Sequence, residues 1–107
     1  MNQRSLDGTD LTERRRRYRA LVEERLPAAA DPDTWPIHAD HCFARIVLDN
    51  VFGGEWTAHV PGRPAYEHLS PRELATAIDL AEGMLTRGAP LVKQLNRRSL
   101  QWRENDD

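Results

Sequence analysis

The strongest constraint on the fold is a helix that declares both of its ends. Ser70-Pro71-Arg72-Glu73 has the spacing of a capping box. The serine hydroxyl can accept from the backbone N–H three residues on, and the glutamate can accept from the serine's own N–H. Pro71 falls at the first helical position, where its missing N–H costs nothing. Leu74, Ala77, Ile78, Ala81, Met84 and Leu85 then recur at the spacing of one helix face, and Gly88 supplies the stop. An amphipathic helix of this kind gains most of its stability from what covers its apolar face, so the rest of the chain must supply the cover. Gly83 within it predicts the close approach of another helix.

Other segments share that period. From Thr12, "TERRRRYRALVEERL" places Leu11, Tyr18, Leu21, Val22 and Leu26 on one face with arginines around the rest, and Pro27 is expected to end the helix. Residues 27–36 read as a connecting loop. A second helix, 40–52, has Asp40 as its expected N-cap and Gly53-Gly54 as its stop. Phe43, Ile46, Val47 and Val51 form one apolar arc and Leu48 and Phe52 lie nearly opposite, so this helix should be central, with neighbours on two sides. "GEWTAHV" allows one more short helical turn before the loop "PGRPAYEHL". Residues 89–103 form a fourth helix, with Leu91, Leu95 and Trp102 along one stripe. No segment alternates with period two. The expected architecture is all-α: a compact bundle of about four helices with helix 40–52 central. In domain terms, residues 1–10 are a flexible N-terminal lead-in, 11–103 a single helical domain and 104–107 an acidic tail.

With 107 residues there is room for one modest core. The net charge is only −2, so any attraction to nucleic acid must come from local patches. A single cysteine rules out an intramolecular disulfide and suits a reducing compartment. No apolar run approaches the roughly 18–20 residues that span a bilayer, and no signal-peptide core is evident. The expected setting is cytoplasmic, without membrane insertion.

"HADHCF", residues 38–43, gathers two histidines, an aspartate and the cysteine. Imidazole and thiolate suit zinc, so His38, His41 and Cys42 are metal candidates. The spacing argues against them: there is no CxxC or HExxH, and adjacent helical residues such as His41 and Cys42 point about 100° apart. Cys42 in the first turn of a helix could be a reactive thiol, but free cysteine more often packs as a small hydrophobe. Further along this helix are Arg45, Asp49 and Asn50. One reading pairs Arg45 with Asp49 within the helix and lets Asn50 tie down the backbone of a neighbouring loop. The other makes His41, Arg45, Asp49 and Asn50 line a polar pocket walled by Trp56 or Tyr66.

The arginines carry a different chemistry. Lys93 is the lone lysine among 15 basic residues, and two groups of the arginines cluster. Arg14, Arg15, Arg16 and Arg17 wrap the first helix, while Arg97, Arg98 and Arg103 interleave with Trp102 on the fourth. Guanidinium and aromatic groups together suit phosphate contact and base stacking, provided that both clusters meet on one surface. The competing reading is a solvated face, since Glu13, Glu23, Glu24 and Glu104 offset the charge.

The stretches "DHCFARIVLDNVFGGEW", "PAYEHLSPRELATAIDLAEGML" and "LNRRSLQWR" resemble a set of small bacterial proteins of unknown function, over residues 18–103. That resemblance implies a single domain with helix 40–52 at its heart and supplies no catalytic residue, cofactor or substrate. Short proteins of this kind sometimes carry an acetyltransferase label, but an acetyl-CoA site needs a βα fold and a glycine-rich pyrophosphate loop, neither of which this sequence holds. No phosphate loop, GxSxG or dinucleotide fingerprint is present either. The functional expectation is an accessory protein without catalytic residues or cofactor, binding a protein partner or a second copy through helix faces. Nucleic-acid binding through the two arginine clusters is the alternative, and a metal or thiol site at His41 and Cys42 stands behind both.

Overall fold

A computed structural model describes the backbone of residues 2–105 and the side chains of residues 11–104. Helix α1 (Asn2–Arg19) passes into a π-helical stretch (Ala20–Arg25) and a last α-helical turn (Leu26–Ala29). Helix α2 spans Asp40–Phe52, α3 spans Pro71–Arg87 and α4 spans Ala89–Asn105. Short 3₁₀ turns at Trp56–Ala58 and Ala65–His68 punctuate the connection between α2 and α3. No strand occurs among the described residues. The protein is a small all-α bundle in which α2 touches the π-helical stretch, α3 and α4. No helix among the described residues is long and apolar enough to cross a membrane.

Helix α1 begins at Asn2, within the stretch expected to be a polar lead-in. Pro27 does not end it. A proline inside an α-helix cannot donate to the carbonyl four residues back, and its ring presses on that carbonyl. Here the preceding turn widens instead: the Leu26 N–H donates to the Leu21 carbonyl, five residues back, and Pro27 then sits in the first positions of a fresh turn. The chain thus stays helical to Ala29 while burying Leu21, Val22 and Leu26.

The cap of α2 lies one residue earlier than expected. Ala39 is the N-cap, in extended conformation, and Asp40 is the first helical residue, its carboxylate accepting from the His41 N–H at 2.7 Å. Gly53 closes α2 at φ 68°, in the left-handed region that favours glycine. The start of α3 follows the sequence reading in every part: Ser70 Oγ accepts from the Glu73 N–H at 3.1 Å, and Glu73 Oε1 accepts from the Ser70 N–H at 2.9 Å. Gly88, at φ 74°, turns the chain at once into α4. A methyl group on Gly83 would lie 3.2 Å from Leu91 Cδ2, so α3 and α4 do approach closely there. Glu104, expected in an acidic tail, is helical; Asp106 and Asp107 of that tail lie outside the described residues.

The core is continuous. Phe43, Ile46 and Val47 of α2 are fully buried against Leu21 and Leu26, against Leu74, Ala77, Ala81 and Met84 of α3, and against Val92 of α4. Each large aliphatic or aromatic side chain so buried contributes about 1.5–3 kcal/mol. Trp35, from the loop before α2, meets the Phe43 ring edge-on at 5.9 Å and closes the core at that end.

Candidate functional site

Two groups of side chains flank α2, and they differ in kind. The first is a polar seam between α2 and α4. Asp49 is fully buried. Its Oδ2 accepts from Ser99 Oγ at 2.6 Å and from Arg103 Nε at 2.8 Å. Its Oδ1 accepts from the Trp56 backbone N–H at 3.0 Å and from Arg103 Nη2 at 3.2 Å. A carboxylate has about four acceptor sites, and all of them are used. Arg103 also donates from Nη1 to Glu55 Oε2 at 3.2 Å, which leaves its guanidinium neutralised twice over. Arg45 donates to Ser99 Oγ and to Asn96 Oδ1, each at 2.9 Å. Asn50 donates to the Ile46 carbonyl at 2.8 Å and to the Leu95 carbonyl at 3.1 Å, tying α2 to α4.

Arg45 and Asp49 are therefore joined through Ser99 rather than to each other. Their i, i+4 spacing permits a direct pair. The Ser99 hydroxyl between them offers both an acceptor to Arg45 and a donor to Asp49, and Ser99 and Asp49 are fully buried, where each polar atom must find a partner. Asn50 ties down a backbone outside its own helix, but that of α4 rather than the neighbouring loop the sequence suggests. The backbone carbonyl of Asp49 also accepts, from the N–H groups of Gly53 and Gly54 at 2.8 and 3.1 Å. A single residue thus ends the helix and holds the next turn of chain in place.

The second group is an open cleft of about 500 Å³, bounded by α1, the π-helical stretch, the start of α2 and the connection after it. Tyr18, Val22, Ala44, Leu48, Trp56 and Tyr66 form its apolar surface, and Glu23, Asp40, His41 and Arg63 stand around it. The rings are ordered by their neighbours: Tyr18 and Tyr66 lie 6.2 Å apart, the Arg63 guanidinium rests 5.1 Å from the Trp56 ring centre and that of Arg19 5.2 Å from Tyr66. Burial pushes the Tyr18 phenol well above its ordinary range, and the nearby Glu23 carboxylate adds to the effect. The Trp56 N–H bond to Asp49 links the two groups, since the buried seam fixes the backbone that carries one wall of the cleft.

The sequence-derived candidates divide between these places. Arg45, Asp49 and Asn50 lie in the seam; His41 does not, being exposed beside the cleft with Nδ1 3.6 Å from Asp40 Oδ1. His38 is exposed in the loop before α2 and Cys42 is half-buried against the core. Among the described residues no group of three His, Cys, Asp or Glu side chains is placed to hold a metal. On α1, Arg16 pairs with Glu13, Arg17 with Glu82 of α3, and Arg15 donates to the Glu67 carbonyl at 3.3 Å; Arg14 is half-buried. Arg103 belongs to the seam, Trp102 is half-buried, and Arg97 and Arg98 are exposed on α4. Asn96, Ser99 and Glu55 went unread in the sequence. A signal for the first two existed: Asn96, Ser99 and Arg103 stand at i, i+3 and i+7, one helix face. No spacing could have revealed the cleft, which is assembled from separate segments.

Compared with protein-family models, characterised proteins and solved structures, the chain matches none.

Proposed function

We propose that this chain is a small interaction module that receives an apolar or aromatic side chain of a protein partner in the cleft between the π-helical stretch and α2. The observation that carries this reading is the cleft's composition. Tyr18, Trp56 and Tyr66 meet in one concavity with Arg63 beside them, and Trp, Tyr and Arg are the residues that dominate interface energy. A concave, mainly apolar surface with a few polar groups at its edge is the common form of a binding site. π-helical turns also concentrate at functional sites, and this one forms part of the wall.

Binding rather than chemistry is supported by the state of the seam. Asp49 has all its acceptor sites filled by groups of the same chain, so this carboxylate is not left to act on a substrate. Nucleic-acid binding finds less support. Arg16, Arg17 and Arg103 are engaged by carboxylates of this chain, and α1 packs on α3 rather than alongside Arg97 and Arg98.

The test is photocrosslinking in the cells that make the protein. A benzophenone amino acid replacing Tyr66 should yield a discrete protein adduct that disappears when Trp56→Ala is added. The same probe replacing Arg98 should yield no adduct that depends on Trp56. Nuclease-sensitive adducts from position 98, with none from position 66, would transfer the function to nucleic acid.

A further inference from the structure

We propose that the outer face of α4 pairs with the same face of a second copy, antiparallel and related by a two-fold axis. This surface shares no residue with the cleft and does not depend on how the cleft is read. Pro36 and one edge of Asn96 close a shallow groove along α4 whose exposed side chains, Lys93, Arg97, Leu100, Gln101 and Glu104, face away from Val92, Leu95 and Ser99. Leu100, 45% exposed, is the one exposed large hydrophobic among the described residues. Lys93, Arg97 and Glu104 have no ion-pair partner among the described residues, whereas Arg16, Arg17, Arg19 and Arg103 all do.

The order of these residues along the helix singles out a second copy as occupant. Lys93 and Glu104 are equidistant from a midpoint between Arg98 and Ser99. So are Arg97 and Leu100. Turning an identical helix about a two-fold axis at that midpoint brings Lys93 of each copy to Glu104 of the other, about 17 Å apart along the helix at its two ends. The same operation lays the aliphatic stem of Arg97 on Leu100. A parallel pairing would put Lys93 on Lys93 and Glu104 on Glu104, which like-charge repulsion disfavours. One helix face with a single leucine buries less than the roughly 1,200 Å² of a standard interface, so the dimer is a weak one, in exchange with monomer.

Charge exchange tests both the surface and its register. Sedimentation equilibrium at low ionic strength, where surface charge is least screened, should show the wild-type chain self-associating with rising concentration. K93E alone makes both ends of the face acidic, and E104K alone makes both basic. Each should weaken self-association by about tenfold or more, because two symmetry-related contacts are reversed at once. Mixing the two variants should restore a 1:1 dimer, as should the K93E/E104K double variant on its own. All the altered positions are exposed, so circular dichroism should be unchanged. A wild-type chain that stays monomeric at the highest attainable concentration overturns the proposal. So does a dimer indifferent to both single variants, or a mixture that fails to recover association.

Discussion

The two flanks of α2 show two ways of dealing with a side chain that the core does not need. Toward α4, polar groups are buried and answer one another completely: one serine hydroxyl serves both Arg45 and Asp49, and Asp49 is saturated. Toward the π-helical stretch, the Trp56 and Tyr66 rings are left half-covered around an open cleft, beside a buried Tyr18. A saturated network resists change, because losing any member strands another. A half-covered apolar surface gains by being covered. The first flank therefore reads as support and the second as reception, with the Trp56 N–H joining them.

The largest expected effect belongs to the seam. Asp49→Ala leaves Arg103 without its buried counter-charge and should cost about 3–5 kcal/mol, measured as a fall in the urea midpoint. If the substitution costs under about 1 kcal/mol, on the scale of an exposed pair, the contrast between the flanks is lost.

The next effect separates the flanks by pH. The Tyr18 phenol is raised on folding, so the folded state holds its proton longer than the unfolded chain does. Its stabilising contribution is complete below the ordinary tyrosine range near pH 10 and declines as pH rises above it, by about 1.4 kcal/mol per pH unit. Tyr18→Phe should flatten that alkaline decline. Identical alkaline profiles for wild type and variant would show that the phenol is not the group responsible.

The smallest effect is expected at the edge of the cleft. Arg63→Ala removes one exposed guanidinium from the Trp56 face and should lower stability by less than about 1 kcal/mol, while weakening the Trp56-dependent adduct formed from position 66. Equal losses of stability from Arg63→Ala and Asp49→Ala would erase the distinction between receiving and supporting surfaces.

How far the sequence could be read follows the range of the interactions involved. The ends of α3 were legible because a capping box is completed within four residues, and the two-sided burial of α2 was legible because helical period needs only one segment. Asp40 was read as a cap on residue type, although the extended conformation falls at Ala39. Pro27 was read by the rule for uniform α-helices, and a widened turn escapes that rule. The pairing of Arg45 with Asp49 was inferred from local spacing and lost to Ser99, fifty residues away from Asp49. Tertiary partners of equal chemistry outcompete local ones when their geometry is better, and their identity is written in another segment.

The π-helical stretch makes chain length part of the site. Each residue of a regular helix turns its successors by about 100°, and the widened turn at Ala20–Arg25 absorbs an offset that a uniform helix would pass along. Winding the same residues as a uniform helix would swing Tyr18 by more than a quarter turn relative to Leu26, away from Trp56 and Tyr66, whereas removing one residue together with the widened turn would leave the two in register. A one-residue insertion there, with no second widened turn to absorb it, would keep the composition of both helical halves and still dismantle the cleft. In this short segment, counting residues constrains the protein as strictly as choosing them.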